Sequence, residues 1–379
     1  MQFRDLSAQY QAMKKDIDSA VEKVLTDCNF ISGNQVSELE NQLAEYVGVK
    51  HCITCGNGTD AISLALMAWG VGCGDAVFVP DFTFFSSGES PAGTGAVPVF
   101  VDVDADTFNM DPDKLEEAVL AVKKEGKYTP KAVVAVDLFG LCADYLSIKL
   151  ICDKYGLLLL EDGAQGFGGC LGGKRACSFG DISTTSFFPA KPLGCCGDGG
   201  AVFTDHDEWA EILRSLTVHG KNKDDKYDNI RIGINSRLDT IQAAILKVKL
   251  EAFRKYELES VNQAAKRYGE ELKDSGLILP FVPDDYYSSW AQYTVKLPEG
   301  TDRGKVQDKL KEADIPSMIY YRKPMHIQGA FAGTDSSKAY CPVTEKLCRT
   351  VLSLPMHPYM EHGDIRKVSE ILHKACIER

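Results

Sequence analysis

Several residues that could share one chemistry stand at or just beyond the ends of short apolar runs. After HCITC, residues 51–55, comes Gly56-Asn57-Gly58-Thr59, opening a helical stretch. Free backbone N–H groups and the positive end of a helix dipole make such a turn an anion cup, and phosphate is its natural guest. After AVFVP comes Asp81-Phe82-Thr83-Phe84-Phe85, which brings aromatic rings to a strand tip where one can lie flat on a planar molecule. After LLLLE comes Asp162, with Gln165 three residues on; an ionised carboxylate there can keep a cationic ring nitrogen protonated. The run ISTTSFF carries Ser186, a further phosphate donor. It leads into Pro189-Ala190-Lys191-Pro192-Leu193-Gly194, a constrained turn whose amine can form a Schiff base.

Taken singly, each has an ordinary reading. Short glycine patterns are mostly tight turns, Lys191 reads as a solvated surface lysine, Asp162 as a helix cap and Phe84 as a core ring. Together, a phosphate cup, an aromatic plate, a carboxylate and a lysine, each at a different strand end, are the parts that pyridoxal phosphate chemistry needs. The rival from the same residues is a dinucleotide-dependent dehydrogenase, with GNGTDA as the glycine loop and Asp81 as its acid. That reading leaves Asp162 and Lys191 unexplained. A non-enzymatic regulator of the same fold would have no need of them either.

The composition agrees with an ordinary globule. The 379 residues are 44% hydrophobic and 25% charged, enough chain for two or three domains around a large core. With 42 Lys and Arg against 54 Asp and Glu, the net charge of −12 disfavours nucleic acid as a partner. No apolar run approaches a membrane span, and the N-terminus lacks a signal-peptide layout, so a cytoplasmic protein is expected. Thirteen cysteines, an odd set in a chain this large, suggest free thiols in a reducing compartment. Cys52 and Cys55 read as buried strand thiols, because no second CxxC or HxxxH completes a metal site.

The elements that must position these residues are legible as well. Residues 8–25 and 35–47 read as helices; from 49 to 219 seven short apolar runs (HCITC, AVFVP, VPVFVDV, KAVVAVDLF, LLLLED, ISTTSFF and GGAVFT) alternate with helical stretches whose ends are marked, for example, by Asp111 as N-cap and Gly156 just beyond CDKY, which predicts a mostly parallel sheet flanked by helices. Residues 236–250 suggest a long helix with Ile241, Ile245, Val248 and Ala252 on one stripe. Beyond Gly276, a strand through Ala291 to Leu297 and a helix with Val306, Leu310 and Ala313 predict a smaller α+β domain. The expected division is an N-terminal arm and helix (1–30), a large domain (31–248) and a small C-terminal domain (249–379).

On TSFFPAKPLGCCGDGGA (185–201), FRDLSAQY (3–10), NGTDA (57–61), EDGAQ (161–165), GINSRLDTIQAAIL (233–246) and SLPMHPY (353–359), the chain resembles the DegT/DnrJ/EryC1/StrS family of pyridoxal-phosphate sugar aminotransferases. The resemblance implies the fold type I α/β architecture, Lys191 as the cofactor-bearing lysine and proton shuttle, and Asp162 on the ring nitrogen. Gln165 falls beside the ring, Phe84 on the stacking position, and Gly58, Thr59 and Ser186 around the phosphate. It further implies a homodimer in which Asn235 reaches the neighbouring subunit's phosphate and Arg237 lies at the same shared site. Tyr320, Tyr321 and His326 fall at substrate-binding positions, although Tyr320 stands where many relatives have histidine. Gly163 replaces a usual alanine, a change expected to be harmless because it only frees the backbone. Relatives that dehydrate deoxysugars have histidine in place of the lysine, so Lys191 favours transamination.

The implied reaction moves an amino group from L-glutamate to a nucleotide-linked keto sugar. NSRLDTIQAAIL, AQYTV and SLPMHPY most resemble enzymes acting on the 3-keto group of a UDP-linked N-acetylhexosaminuronate, with C4 amination of a UDP- or dTDP-sugar as the alternative.

Overall fold

The computed structural model describes residues 1–225 and 227–377. Its centre is a seven-stranded sheet built from the seven apolar runs: β1 (His51–Cys55), β2 (Asp75–Pro80), β3 (Val97–Val101), β4 (Thr129–Val136), β5 (Leu158–Asp162), β6 (Ile182–Ser186) and β7 (Gly200–Thr204). Their order is β1-β7-β6-β5-β4-β2-β3, and every neighbouring pair is parallel except those of β7 with β6 and with β1.

Both faces of the sheet are covered, which is why the runs are continuously apolar. Val77, Val134, Leu160 and Val202 pack with helices α3 (Gly58–Ala68) and α7 (Asp207–Leu216). Their strand neighbours Phe78, Val133 and Leu159 turn to the other face, beneath α5 (Pro112–Glu125) and α6 (Tyr145–Tyr155). Phe203 joins a third cluster with α2 (Asn34–Val47) and α8 (Thr240–Ala252). Helix ends follow the local chemistry: the Asp111 carboxylate accepts from Asp113 N (2.8 Å) and Lys114 N (3.2 Å) to start α5, and Gly156, at φ 70°, stops α6.

The stripe Ile241, Ile245, Val248 and Ala252 meets Met13 and Ile17 of α1 (Leu6–Asp27), so the N-terminal helix is docked onto the main body. Helix α8 starts at Thr240 and not at 236. The reason is tertiary: Ser236 is tied to the loop after β1, Asp239 bridges to Ile31, and Thr240 N donates to Phe30 O (2.9 Å). Those bonds hold 236–239 extended.

Helix α8 runs through a π-helical turn, Phe253–Glu257, directly into α9 (Leu258–Leu272). The expected division at 248/249 therefore falls inside a continuous helical run, and a second cluster begins only at Val261. Tyr268 and Leu272 of α9 pack there on an antiparallel pair, β8 (Tyr293–Lys296) and β9 (Val351–Leu354), with helices α10 (Arg303–Glu312) and α12 (His362–Ile377). Residues between these elements return to the first cluster, among them Met325 and Phe331.

The twelve described cysteines are free thiols, and Cys52 and Cys55 are buried on β1 with their pKa values pushed up by burial. Among the described residues no helix is long and apolar enough to cross a membrane. Because Ile17 is 4% exposed beneath α8, Ile17→Ala is expected to cost about 3 kcal/mol. Urea unfolding checks this, and a loss below about 0.5 kcal/mol, the usual range for surface positions, would mean that α1 is undocked in solution.

Candidate active site

The anion cup forms where α3 begins. Asn57 caps the helix, its Oδ1 accepting from Asp60 N (2.8 Å), so the following N–H groups face outward from the first turn. Ser236 braces the approach: its Oγ accepts from Gly56 N (2.8 Å) and donates to Asp60 Oδ2 (2.6 Å). At Gly58 a Cβ would sit 2.7 Å from Ser186 Cβ, so only glycine lets α3 approach the end of β6 this closely. Thr59 Oγ1 lies 2.7 Å from Ser86 Oγ, which opens helix α4 (Ser86–Gly93). Gly58, Thr59 and Ser186 are thus brought to one place, and Ser86 joins them.

Asp162 ends β5 and is 5% exposed. Its Oδ2 accepts from Ser87 Oγ (2.9 Å) and its Oδ1 from Ala164 N (3.2 Å). Burial pushes this carboxyl up, while the Ser87 hydroxyl and the Lys191 charge pull it back. Lys191 is the counterpart: burial pulls its amine down, Asp162 opposes that, and the Arg4 guanidinium reinforces it. A buried acid and a half-buried lysine whose amine is partly desolvated, supplied from the end of one strand and from beyond the end of its neighbour, therefore sense each other.

Gln165 is held from both sides, accepting from Phe139 N at Oε1 (2.7 Å) and donating to Tyr321 Oη from Nε2 (3.1 Å). The Tyr321 ring stands edge-on to Phe82 (5.9 Å) and tilted to Phe84 (6.5 Å). Phe84 is 55% exposed, so it is no core ring and its face is available. These residues fit pyridoxal phosphate: a cup of N–H and hydroxyl donors for the phosphate, an acid that lacks a full counter-charge for the ring nitrogen, an open aromatic face and a desolvated amine.

The remaining expected residues are placed differently. Asn235 and Arg237 are exposed, whereas Ser236 and Leu238 between and beside them are buried. Tyr320 is half-buried, its ring 6.3 Å from Phe3. His326, an expected sugar contact, is anchored by Asp81. It is 5% exposed, its N–H donates to Asp81 Oδ1 (2.8 Å), and its Nδ1 lies 2.7 Å from Asp81 Oδ2, a bond that raises the imidazole's pKa. Asp81 and His326 together clamp the Tyr321 segment to the end of β2. Gly163 is also not merely freer backbone: a Cβ there would lie 2.5 Å from the buried Cys177 Sγ.

Ser86, Ser87, Ser236 and Arg4 were not picked out from the sequence. The serine pair directly follows the Asp81–Phe85 strand tip and was findable as the first turn of the next helix; Ser236 and Arg4 gave no local signal. The dehydrogenase reading fails on topology. It needs β1 and β2 to be adjacent and parallel, and here four strands separate them, while Asp81 is occupied by His326.

A half-buried lysine and a buried acid at the strand ends of this sheet, beside a glycine-opened phosphate cup, define a pyridoxal-phosphate-dependent aminotransferase of fold type I. Residues 11–373 match the DegT/DnrJ/EryC1/StrS aminotransferase family, and the chain belongs to it. It is 44% identical over 374 residues to the UDP-2-acetamido-2-deoxy-3-oxo-D-glucuronate aminotransferase of Pseudomonas aeruginosa, covering 98% of this chain and 99% of that one. It is 40% identical to a pleiotropic regulatory protein of Geobacillus stearothermophilus, over 97% and 96% of the two chains. The crystal structure of a family aminotransferase from Brucella abortus superposes with a TM-score of 0.96 at 46% identity, covering 99% of each chain.

Two substitutions test the packing of this site. Gly58→Ala should overpack the cup by about 1–3 kcal/mol, weakening pyridoxal phosphate binding to the apo-protein about 5- to 100-fold; an unchanged Kd by fluorescence titration would contradict the placement. Gly163→Ala should destabilise by about 1–3 kcal/mol, and thermal unfolding should show Gly163→Ala/Cys177→Ala recovering most of that loss.

Proposed function

We propose that this enzyme transfers an amino group from L-glutamate to a nucleotide-linked keto sugar, and that the acceptor is a UDP-linked N-acetylhexosaminuronate with its ketone at C3, on a route to a surface glycan. The observation that carries the reaction type is the half-buried Lys191, its amine pKa lowered by desolvation, set against the buried Asp162 carboxylate beside the cup. The choice of sugar is supported by the full-length similarity to an enzyme named for such a substrate.

Pyridoxal phosphate, when bound, supplies an aldehyde for imine exchange and a ring that withdraws electrons. The chain supplies the rest. Gly58, Thr59 and Ser186 would hold the phosphate, and Phe84 would offer its open face to the ring. Asp162, kept in place by Ser87 and Ala164, would keep the ring nitrogen protonated. Gln165, fixed by Phe139 N and Tyr321 Oη, lies at the ring's edge. Lys191 Nζ removes the α proton of glutamate in one half-reaction and delivers a proton to the sugar carbon in the other. Its lowered pKa enlarges the unprotonated fraction that can act as a base near neutral pH.

The outward-facing Asn235 and Arg237 support a homodimer with shared sites, and Tyr320 and Tyr321 line the sugar side. Cytoplasmic nucleotide sugars are the fitting substrate pool. A purely regulatory role has no use for Lys191, Asp162 and Gln165 in this arrangement.

Lys191→Ala is expected to give a folded protein without the visible absorbance of the loaded enzyme and without turnover; retained transamination would remove Lys191 from its role. A reverse-direction screen of UDP- and dTDP-linked amino sugars with 2-oxoglutarate should single out a 3-amino hexuronate. Faster turnover of a 4-amino sugar would move the acceptor carbon to C4.

A further inference from the structure

The turn that carries Lys191 contains two prolines, and its carbonyls are met by two cations, the half-buried Arg4 and the buried Lys249. Arg4 Nη2 donates to Lys191 O (2.8 Å) and to Pro192 O (3.3 Å), and Lys249 Nζ of α8 donates to Gly194 O (2.8 Å). Lys249 is 4% exposed. The acid that attracts both cations is Glu257, the last residue of the π-helical turn, itself 1% exposed. Glu257 Oε1 accepts from Gln9 Nε2 (3.0 Å) and Tyr359 Oη (2.7 Å), and its Oε2 is buried without a hydrogen-bond partner.

A half-buried guanidinium, a buried ammonium and a buried acid with an unbonded oxygen are a poor way to stabilise a core, since apolar residues of similar volume do as well or better. Their geometry suits another task. Carbonyls in an irregular turn need donors, and a charged donor bonds about twice as strongly as a neutral one. The π-helical turn inserts a residue at the junction of α8 and α9, a distortion often found at functional positions, and Glu257 closes it. The segment containing Arg4 is itself fixed: Phe3 O accepts from Met356 N (3.1 Å), and Asp5 caps α1 by accepting from Ala8 N (2.8 Å).

We infer that Arg4, Lys249 and Glu257 are positioning residues, a charge network that suspends the Lys191 turn by its carbonyls and fixes where the amine is presented. The inference rests on the reading of Lys191 given above. Asp162 and Arg4 are the charged groups facing Lys191; around Arg4 stand the charged Glu257 and Lys249 and the titratable Tyr359 and His357, which their surroundings keep neutral near pH 7. Arg4 disfavours a second cation at Lys191, so its removal should raise the pH at which the amine becomes free.

The test uses the full-length apo-protein, methylated reductively across a pH series, with labelling of Lys191 followed by peptide mass spectrometry. Arg4→Met should move the Lys191 labelling midpoint up by roughly half a pH unit or more, and Arg4→Lys should restore the wild-type profile. Where Arg4→Met folds poorly because Glu257 is left unpaired, Arg4→Met/Glu257→Met removes both charges and should show the same upward shift. Folded variants with the wild-type midpoint would overturn the inference, and so would failure of both Met variants to fold while Arg4→Lys remains native, which would assign the network to stability. A separate arm adds pyridoxal phosphate to the wild type. If Lys191 is not protected from methylation, it is the role of Lys191 that fails.

Discussion

The Lys191 amine and the Asp162 carboxylate are both withdrawn from water and lie close enough for each to shift the other's titration. Two desolvated opposite charges are costly to hold, and they stay in register only if the backbone under each is rigid. The sheet provides half of that rigidity: β5 ends at Asp162 and β6 at Ser186, on neighbouring parallel strands whose faces are both packed. Serines supply the rest. Ser87 holds the acid, while Ser236 holds the glycine loop opposite Ser186.

Much of this was legible in the sequence because it is written locally. The seven runs became the seven strands, Asp111 and Gly156 bound their helices, and Gly58 proved to be glycine for a steric reason at a strand end. What escaped notice depends on residues far apart in the chain. The start of α8 shifted from 236 to Thr240 because Ser236 serves the loop at Gly56, 180 residues away. Nothing near Arg4 or Glu257 marks the first as half-buried or the second as buried, since a charged residue reads as surface until its partner's position is known. His326 was read as a sugar contact for the same reason: its partner, Asp81, is 245 residues distant.

The N-terminal segment is more deeply involved than its position suggests. Phe3 and Arg4 touch, respectively, the segment after β9 together with Tyr320, and the Lys191 turn, while α1 lies along α8. The first few residues therefore connect the main sheet, the second cluster and the reactive amine.

The contact between Gly163 and Cys177 bears on how such a site can change over generations. The sulfur fills the volume that a methyl group at 163 would need, so the two positions are mutually conditional. A lineage that gains a methyl at 163 while the thiol remains passes through an overpacked intermediate, so the easier order is for the thiol to give way before the methyl arrives. Epistasis of this kind is seated one residue from Asp162.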